Sequence, residues 1–159
     1  MTTTIPEHRF IARSIELAVE SGAAGDRPFG AVFVGADGAA LAEGRNEATS
    51  TGDVTAHAEI VAIRQAATAG LSDRFPGSVM YASGEPCPMC AAACVWAGVV
   101  TIVFAASTTE FSRILPGGPQ FRLSCAKTID ATDADIEVIG PICQEDALQA
   151  MRSAVAPSH

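Results

Sequence analysis

Apolar residues recur at helical spacing from His8 to Ser21, where Phe10, Ile11, Ile15, Ala18 and Val19 fall on one side and Gly22 marks a stop. Phe29 to Val34 then reads as a strand, Ala36-Asp37-Gly38 as a hairpin turn, and Ala40 to Arg45 as the returning strand. Asn46 to Asp53 is polar and contains glycine, which predicts a loop. Thr55 or a neighbour is placed to cap a second helix, in which His57, Ile60, Val61, Ile63 and Ala67 recur before Gly70. Ser78 to Ala82 predicts a short strand, and Gly84-Glu85-Pro86 a turn. Pro88 suits the first position of a third helix through Cys90, Cys94 and Trp96 to Gly98. Val100 to Ala105 is apolar on both faces, as in a buried central strand. The pattern weakens from Thr108 to Lys127, and then predicts a strand at Ile136–Ile139 and a closing helix at Cys143–Ala154. This alternation predicts an α/β sheet covered by helices on both sides, and no linker or repeat divides residues 1–159.

Two short segments carry chemistry. Thr55-Ala56-His57-Ala58-Glu59 precedes Pro86-Cys87-Pro88-Met89-Cys90 by 30 positions from His57 to Cys87, and each stands at the predicted start of a helix. Cysteines three apart in a first helical turn face one side, and the unpaired amides there favour the thiolates that bind metal. His57, Cys87 and Cys90 thus make three ligands for one Zn2+, whereas a structural zinc is normally closed by four. Three ligands leave a position for water, and Glu59 can reach the same cavity to move protons. The order His-x-Glu then Pro-Cys-x-x-Cys resembles the signature of zinc nucleobase deaminases, a resemblance rather than a consequence of the spacing. Two other readings compete. Cys87-Pro88-Met89-Cys90 could be a redox pair, which leaves His57 and Glu59 without work. A structural zinc would need Cys94 as its fourth ligand, a residue more simply read as small and apolar in the core.

Composition narrows the partners. With 48% hydrophobic and 18% charged residues, the 159-residue chain can bury a real core. The net charge is −8 and Lys127 is the only lysine, so no basic stripe for phosphates is visible, although Arg64, Arg74 or Arg113 could build a local patch. A small neutral or cationic substrate is expected rather than nucleic acid. Asp130, Asp133, Asp135 and Glu137 read as a solvated turn and edge. Met1-Thr2-Thr3-Thr4 lacks the basic start of a secretory signal, and the uncharged run Ala91–Ala106 is shorter than the ~18–20 residues of a spanning helix. An odd count of five cysteines then fits a reducing cytoplasm and no membrane.

From about Phe10 to Ala106 the chain resembles the cytidine deaminase-like superfamily. The residues that carry this are Pro28-Phe29-Gly30-Ala31-Val32, Glu43-Gly44-Arg45-Asn46 and the two zinc segments, and within the superfamily they look like bacterial guanine deaminases. The resemblance implies a three-layer α-β-α sandwich with a mixed five-stranded sheet. It also implies hydrolytic removal of an exocyclic amine from a nucleobase-like ring, with guanine or a related purine first, a cytosine- or triazine-type base next, and transfer-RNA adenosine third. By position it makes Asn46 a ligand to the ring edge through both halves of its amide, and Ala58 a backbone donor. Phe29 and Trp96 become aromatic walls of the pocket. A homodimer or larger homo-oligomer is also implied. Departures cluster after residue 107: no acid lies between Glu110 and Asp130, where guanine deaminases carry one, and Met151 to His159 lacks aromatic residues. Val54, where proline is frequent, and Ser83-Gly84 read as structural changes. Residues 108–159 are therefore expected to set substrate specificity.

Overall fold

A computed structural model describes residues 5–156; the readings at Met1–Thr4 and at the last three positions lie outside them. Thirteen segments follow in order: α1 (His8–Ala23), β1 (Gly30–Val34), β2 (Ala40–Arg45), α2 (Ala48–Thr51), α3 (Ala58–Thr68), a 3-10 turn (Ser72–Arg74), β3 (Val79–Gly84), α4 (Pro88–Ala97), β4 (Thr101–Ala106), α5 (Thr108–Phe111), α6 (Cys125–Asp130), β5 (Glu137–Ile139) and α7 (Gln144–Val155). The strands form one mixed sheet in the order β2-β1-β3-β4-β5. β1 runs antiparallel to β2 and β3, whereas β3, β4 and β5 are mutually parallel.

Helices cover both faces, as the alternation predicts. Side chains alternate across a strand, so Val32 and Val34 of β1 join Val103 of β4 under α1 and α7 with Phe10, Ile11, Leu17, Leu148 and Met151. Ala31 and Phe33 point the other way, with Met80 and Ile102, under α3, α4 and α6. Burial on both faces explains why β1 and β4 read as continuous apolar runs. No described helix is long and apolar enough to cross a membrane.

One glycine sets the position of the site. A Cβ on Gly44 of β2 would collide with the backbone of α3 at Ala58 and Ala62, so only glycine lets the start of α3 settle onto the end of β2. Several boundaries differ from the sequence reading. α1 passes through Gly22 to Ala23, because Gly22 is where α7 approaches: a Cβ there would lie 2.9 Å from Cβ of Ala154. The polar Asn46–Asp53 segment contains the single turn α2. The weak region after Thr108 holds α5 and α6, each opened by a serine whose hydroxyl accepts a backbone N–H: Ser107 from Glu110 and Ser124 from Lys127. Asp130, Asp133, Asp135 and Glu137 are exposed, as expected of a solvated edge.

Candidate metal centre and ligand cavity

His57 and Cys87 do not lie inside helices; each is the residue just before one, with extended backbone, at the head of α3 and α4 respectively. This corrects the sequence reading of His57 as an in-helix position capped by Thr55. Pro88 takes the first helical position, where a missing N–H costs nothing. Cys90 and Glu59 then occupy the first turns of the two helices. Both sulfurs face the same atom of the imidazole: Nδ1 of His57 is 3.6 Å from Sγ of Cys87 and 3.6 Å from Sγ of Cys90.

This spacing fits zinc. With Zn–S near 2.3 Å and Zn–N near 2.05 Å, a tetrahedral site has N···S edges of about 3.6 Å. All three donor atoms lie within 4.8 Å of one another, and among the described residues this is the group of His, Cys and acidic side chains able to hold a metal. The electrostatics agree. A hydrogen bond from Cys90 pulls the Cys87 thiol down to about 4, while the same contact, together with burial, pushes Cys90 well above its usual value. Two adjacent thiolates need a cation to coexist, and the donor set of one imidazole and two thiols is one that zinc favours. Cys94 is fully buried in α4 and outside the cluster, so the fourth ligand of a closed structural site is missing from this group. His57 and Glu59 packed into the cluster likewise have no role in a simple redox pair.

Glu59 is 5% exposed, and burial pushes its carboxyl up to about 7. It shares a cavity of about 440 Å³ with His57, Ala58 and Cys87. The cavity opens beyond the carboxyl ends of the parallel strands β3 and β4, the usual position for ligands in open α/β sheets. Phe29 forms one wall, edge-on to Phe111 with ring centroids 5.1 Å apart. Gly84 permits that wall, since a Cβ there would overlap the Phe29 ring.

The structure brings Phe29, Asn46, Ala58 and Glu59 to the metal cluster, but not Trp96. Trp96 is 88% exposed near the far end of α4, on the side opposite the buried Ala91 and Cys94. Asn46 is buried, and its Oδ1 accepts the N–H of Ala48 at 3.1 Å. That oxygen is therefore already tied to its own loop, while Nδ2 has no bond within the loop and is free to donate to a ligand. Sequence reasoning missed Arg27, Glu85, Thr108, Gln120, Phe121 and Leu123, all of which line the cavity. It also took Val54 as structural, whereas Val54 lines the cavity and is 80% exposed. Ser83 is structural, as read: its hydroxyl accepts the Gly30 N–H. The signal for the missed segment was local. Ser107-Thr108-Thr109-Glu110 has the spacing of a capping box and predicts a helix start.

The family described as "Cytidine and deoxycytidylate deaminase zinc-binding region" matches residues 5–106, and these include the whole metal cluster. The chain belongs to that family. It is 44% identical to guanine deaminase of Bacillus subtilis over 64% of this chain and 65% of that protein, so it spans just under two thirds of that relative. It is 45% identical to a tRNA-specific adenosine deaminase of Agrobacterium fabrum over 65% of this chain and 70% of that one. Among solved structures, guanine deaminase from Nitrosomonas europaea superposes with a TM-score of 0.80 at 26% identity, covering 96% of this chain and 86% of that one. The family match stops at residue 106, whereas cavity residues continue to Leu123.

Proposed function

We propose that this chain is a zinc-dependent aminohydrolase that converts an exocyclic amine on a nucleobase-like ring to a carbonyl and releases ammonia, with guanine or a related purine the first candidate. One observation carries the reading: a buried carboxyl raised to about 7 stands in the same cavity as a three-donor zinc cluster. A general acid–base group works best with a pKa near the working pH. His57, Cys87 and Cys90 would hold the zinc, which when bound would supply the Lewis acidity that activates a water. Glu59 takes one proton of that water on its carboxylate and passes it to a ring nitrogen; it then takes the second proton from the added hydroxyl, which becomes the carbonyl, and gives it to the departing amine, released as ammonia. Ala58, the first residue of α3, lines the cavity, and its backbone N–H lies outside the helical ladder, where it can hold the ring. Phe29 offers the ring an aromatic wall, backed edge-on by Phe111.

Residues 1–159 act in this reading as one deaminase domain, with 108–159 as the part that sets specificity. A small substrate is supported by the basic side chains: Arg64, Arg74 and Arg113 pair with Asp53, Asp37 and Glu110 and make no phosphate track. A cytosine- or triazine-type base is the next candidate. Editing of transfer-RNA adenosine is the third, kept by the 45% identity to the Agrobacterium enzyme. An ammonia-release screen over amino-substituted bases, nucleosides and triazines tests the proposal. Turnover of at least one free base, with no salt-dependent RNA binding, is expected. Tight, salt-dependent binding of transfer RNA and inactivity on every free base would replace it with the editing reading. We further propose a cytoplasmic homodimer or larger homo-oligomer: five unpaired cysteines suit a reducing compartment, and the exposed Trp96 suits a face between copies.

A further inference from the structure

Away from the metal cluster, Arg27, Asn46 and Gln120 bring N–H donors to the cavity, beside the Thr108 hydroxyl, which can donate or accept. Arg27 stands immediately before Pro28-Phe29, and its guanidinium lies at the seam between the Phe29 wall and the Gly117–Gly118 turn: Nη1 reaches the Gly117 carbonyl at 3.3 Å, and Cζ is 5.9 Å from the Phe29 ring centroid. Every other arginine except Arg122 is paired with a carboxylate, and Arg122 does not line this cavity. The acid next to it in sequence, Asp26, is turned away and accepts the Ser50 N–H at 2.8 Å. An Arg fork offers five N–H donors, and one long contact to a carbonyl leaves most of them for a ligand.

The carboxylate and amide oxygens at the cavity, away from the cluster, each already hold a protein donor. Glu85 lines the cavity, yet Oε1 accepts the N–H of Thr108 at 3.0 Å and Oε2 that of Cys125 at 2.9 Å. Oε1 of Gln120 accepts from the Ser112 hydroxyl, which leaves its NH2. Asn46 likewise has its oxygen tied to the Ala48 N–H and its Nδ2 available. Arg27 and Asn46 are held side by side, because the Ser21 hydroxyl lies 2.8 Å from the carbonyl oxygens of both.

We propose that Arg27 is the specificity-determining residue of this site, and that it selects heterocyclic amines bearing oxygen acceptors, oxo or ionised, on the edge away from the reacting amine. Donors facing a ring oxygen are satisfied, whereas donors facing a second ring amine leave both sides unpaired. The inference deepens the deaminase reading and rests on it for the word substrate; the binding it predicts does not depend on turnover.

The test uses the zinc-loaded full chain, Arg27→Gln and Arg27→Lys, with zinc content and Tm compared first. Calorimetric titration with xanthine and with barbituric acid, oxygen-rich rings with no amine to lose, reads binding alone. Arg27→Gln weakens binding by about 10–100-fold, as expected for a lost charge-assisted hydrogen bond, and Arg27→Lys restores part of it. Ammonia release then compares guanine with 2,6-diaminopurine and cytosine with 2,4-diaminopyrimidine, pairs in which an amine replaces the oxygen. The wild type prefers the oxygen-bearing member, and Arg27→Gln narrows that preference through KM with kcat little changed. Equal binding by wild type and variant, binding of neither ring, or a wild-type preference for the diamines overturns the assignment. Turnover that is indifferent to Arg27 sinks the assignment but leaves the deaminase reading intact. Arg27-dependent binding with no turnover anywhere does the reverse. If Arg27→Gln does not fold, Arg27→Lys and the wild-type preferences still decide.

Discussion

Replacing Glu85 by glutamine should loosen the segment that closes the cavity while leaving the zinc cluster beside it intact. The carboxylate bridges two helix starts, accepting the first N–H of α5 on one oxygen and the first N–H of α6 on the other. It therefore ties both ends of the Thr108–Cys125 stretch to the residue just before Pro86-Cys87. A glutamine keeps one oxygen and turns an NH2 toward the second N–H, so one charge-assisted bond is lost and two donors face each other. Hydrogen bonds to charged groups are worth about 1.5–3 kcal/mol, and an unsatisfied donor costs about 1–3 kcal/mol. Glu85 is half-buried and water can relieve part of this, which points to about 2 kcal/mol. For a chain of this size that corresponds to a Tm about 4–8 °C lower. Differential scanning calorimetry reads the loss, and amide hydrogen exchange checks the two bonds, with Thr108 and Cys125 exchanging faster. A Glu85→Gln protein with wild-type Tm and unaltered exchange at both amides would refute the strut.

Three other outcomes follow from the same geometry. Burial pushes the Asp26 carboxyl up, but hydrogen bonds from Ser50 and Thr49 outweigh it and hold the group below its usual value of 3.8. A depressed folded pKa contributes stability that is present above the usual value and lost as pH falls through the folded one; Asp26→Asn should therefore be less stable than wild type at pH 7, with the gap narrowing as the pH of urea titrations is taken below 3.8. Cys90→Ser exchanges a soft thiolate for a hydroxyl in a cluster with 3.6 Å edges, so zinc measured by plasma mass spectrometry should fall well below the wild-type content. Trp96→Ser removes the most exposed large apolar side chain among the described residues, and sedimentation velocity should show smaller species than the wild type; unchanged sedimentation of an oligomer would place the interface elsewhere.

How far the sequence reaches depends on the range of the interaction concerned. The metal cluster is legible because each half is local: Pro88 at a first helical position, cysteines three apart, and an imidazole and carboxyl two apart at another helix start. β1 and β4 are legible because strands covered on both faces carry no polar alternation. Gly22 misleads because its reason is tertiary, the approach of Ala154 from a helix at the other end of the chain. Trp96 misleads for a related reason. It lies six residues beyond Cys90 in α4, about 9 Å along the axis at 1.5 Å per residue, so it sits far from the cavity at the other end of that helix. Glu85 looks like a turn residue until its partners, 23 and 40 positions away, are in place. Arg27 is recognised only once its neighbouring acid, Asp26, is seen to be engaged with Ser50.

The central claim is that Glu59 moves protons beside a metal held by His57, Cys87 and Cys90, and Glu59→Gln tests it most directly. The amide preserves shape and removes the titrating group, while none of the three donor atoms changes. Zinc content and the rate of ammonia release are measured on the same preparations, using a base that the wild type deaminates. About one zinc per chain should remain in the variant, with kcat lower by about 10²–10⁴-fold. A zinc-loaded Glu59→Gln enzyme turning over at the wild-type rate would contradict the account.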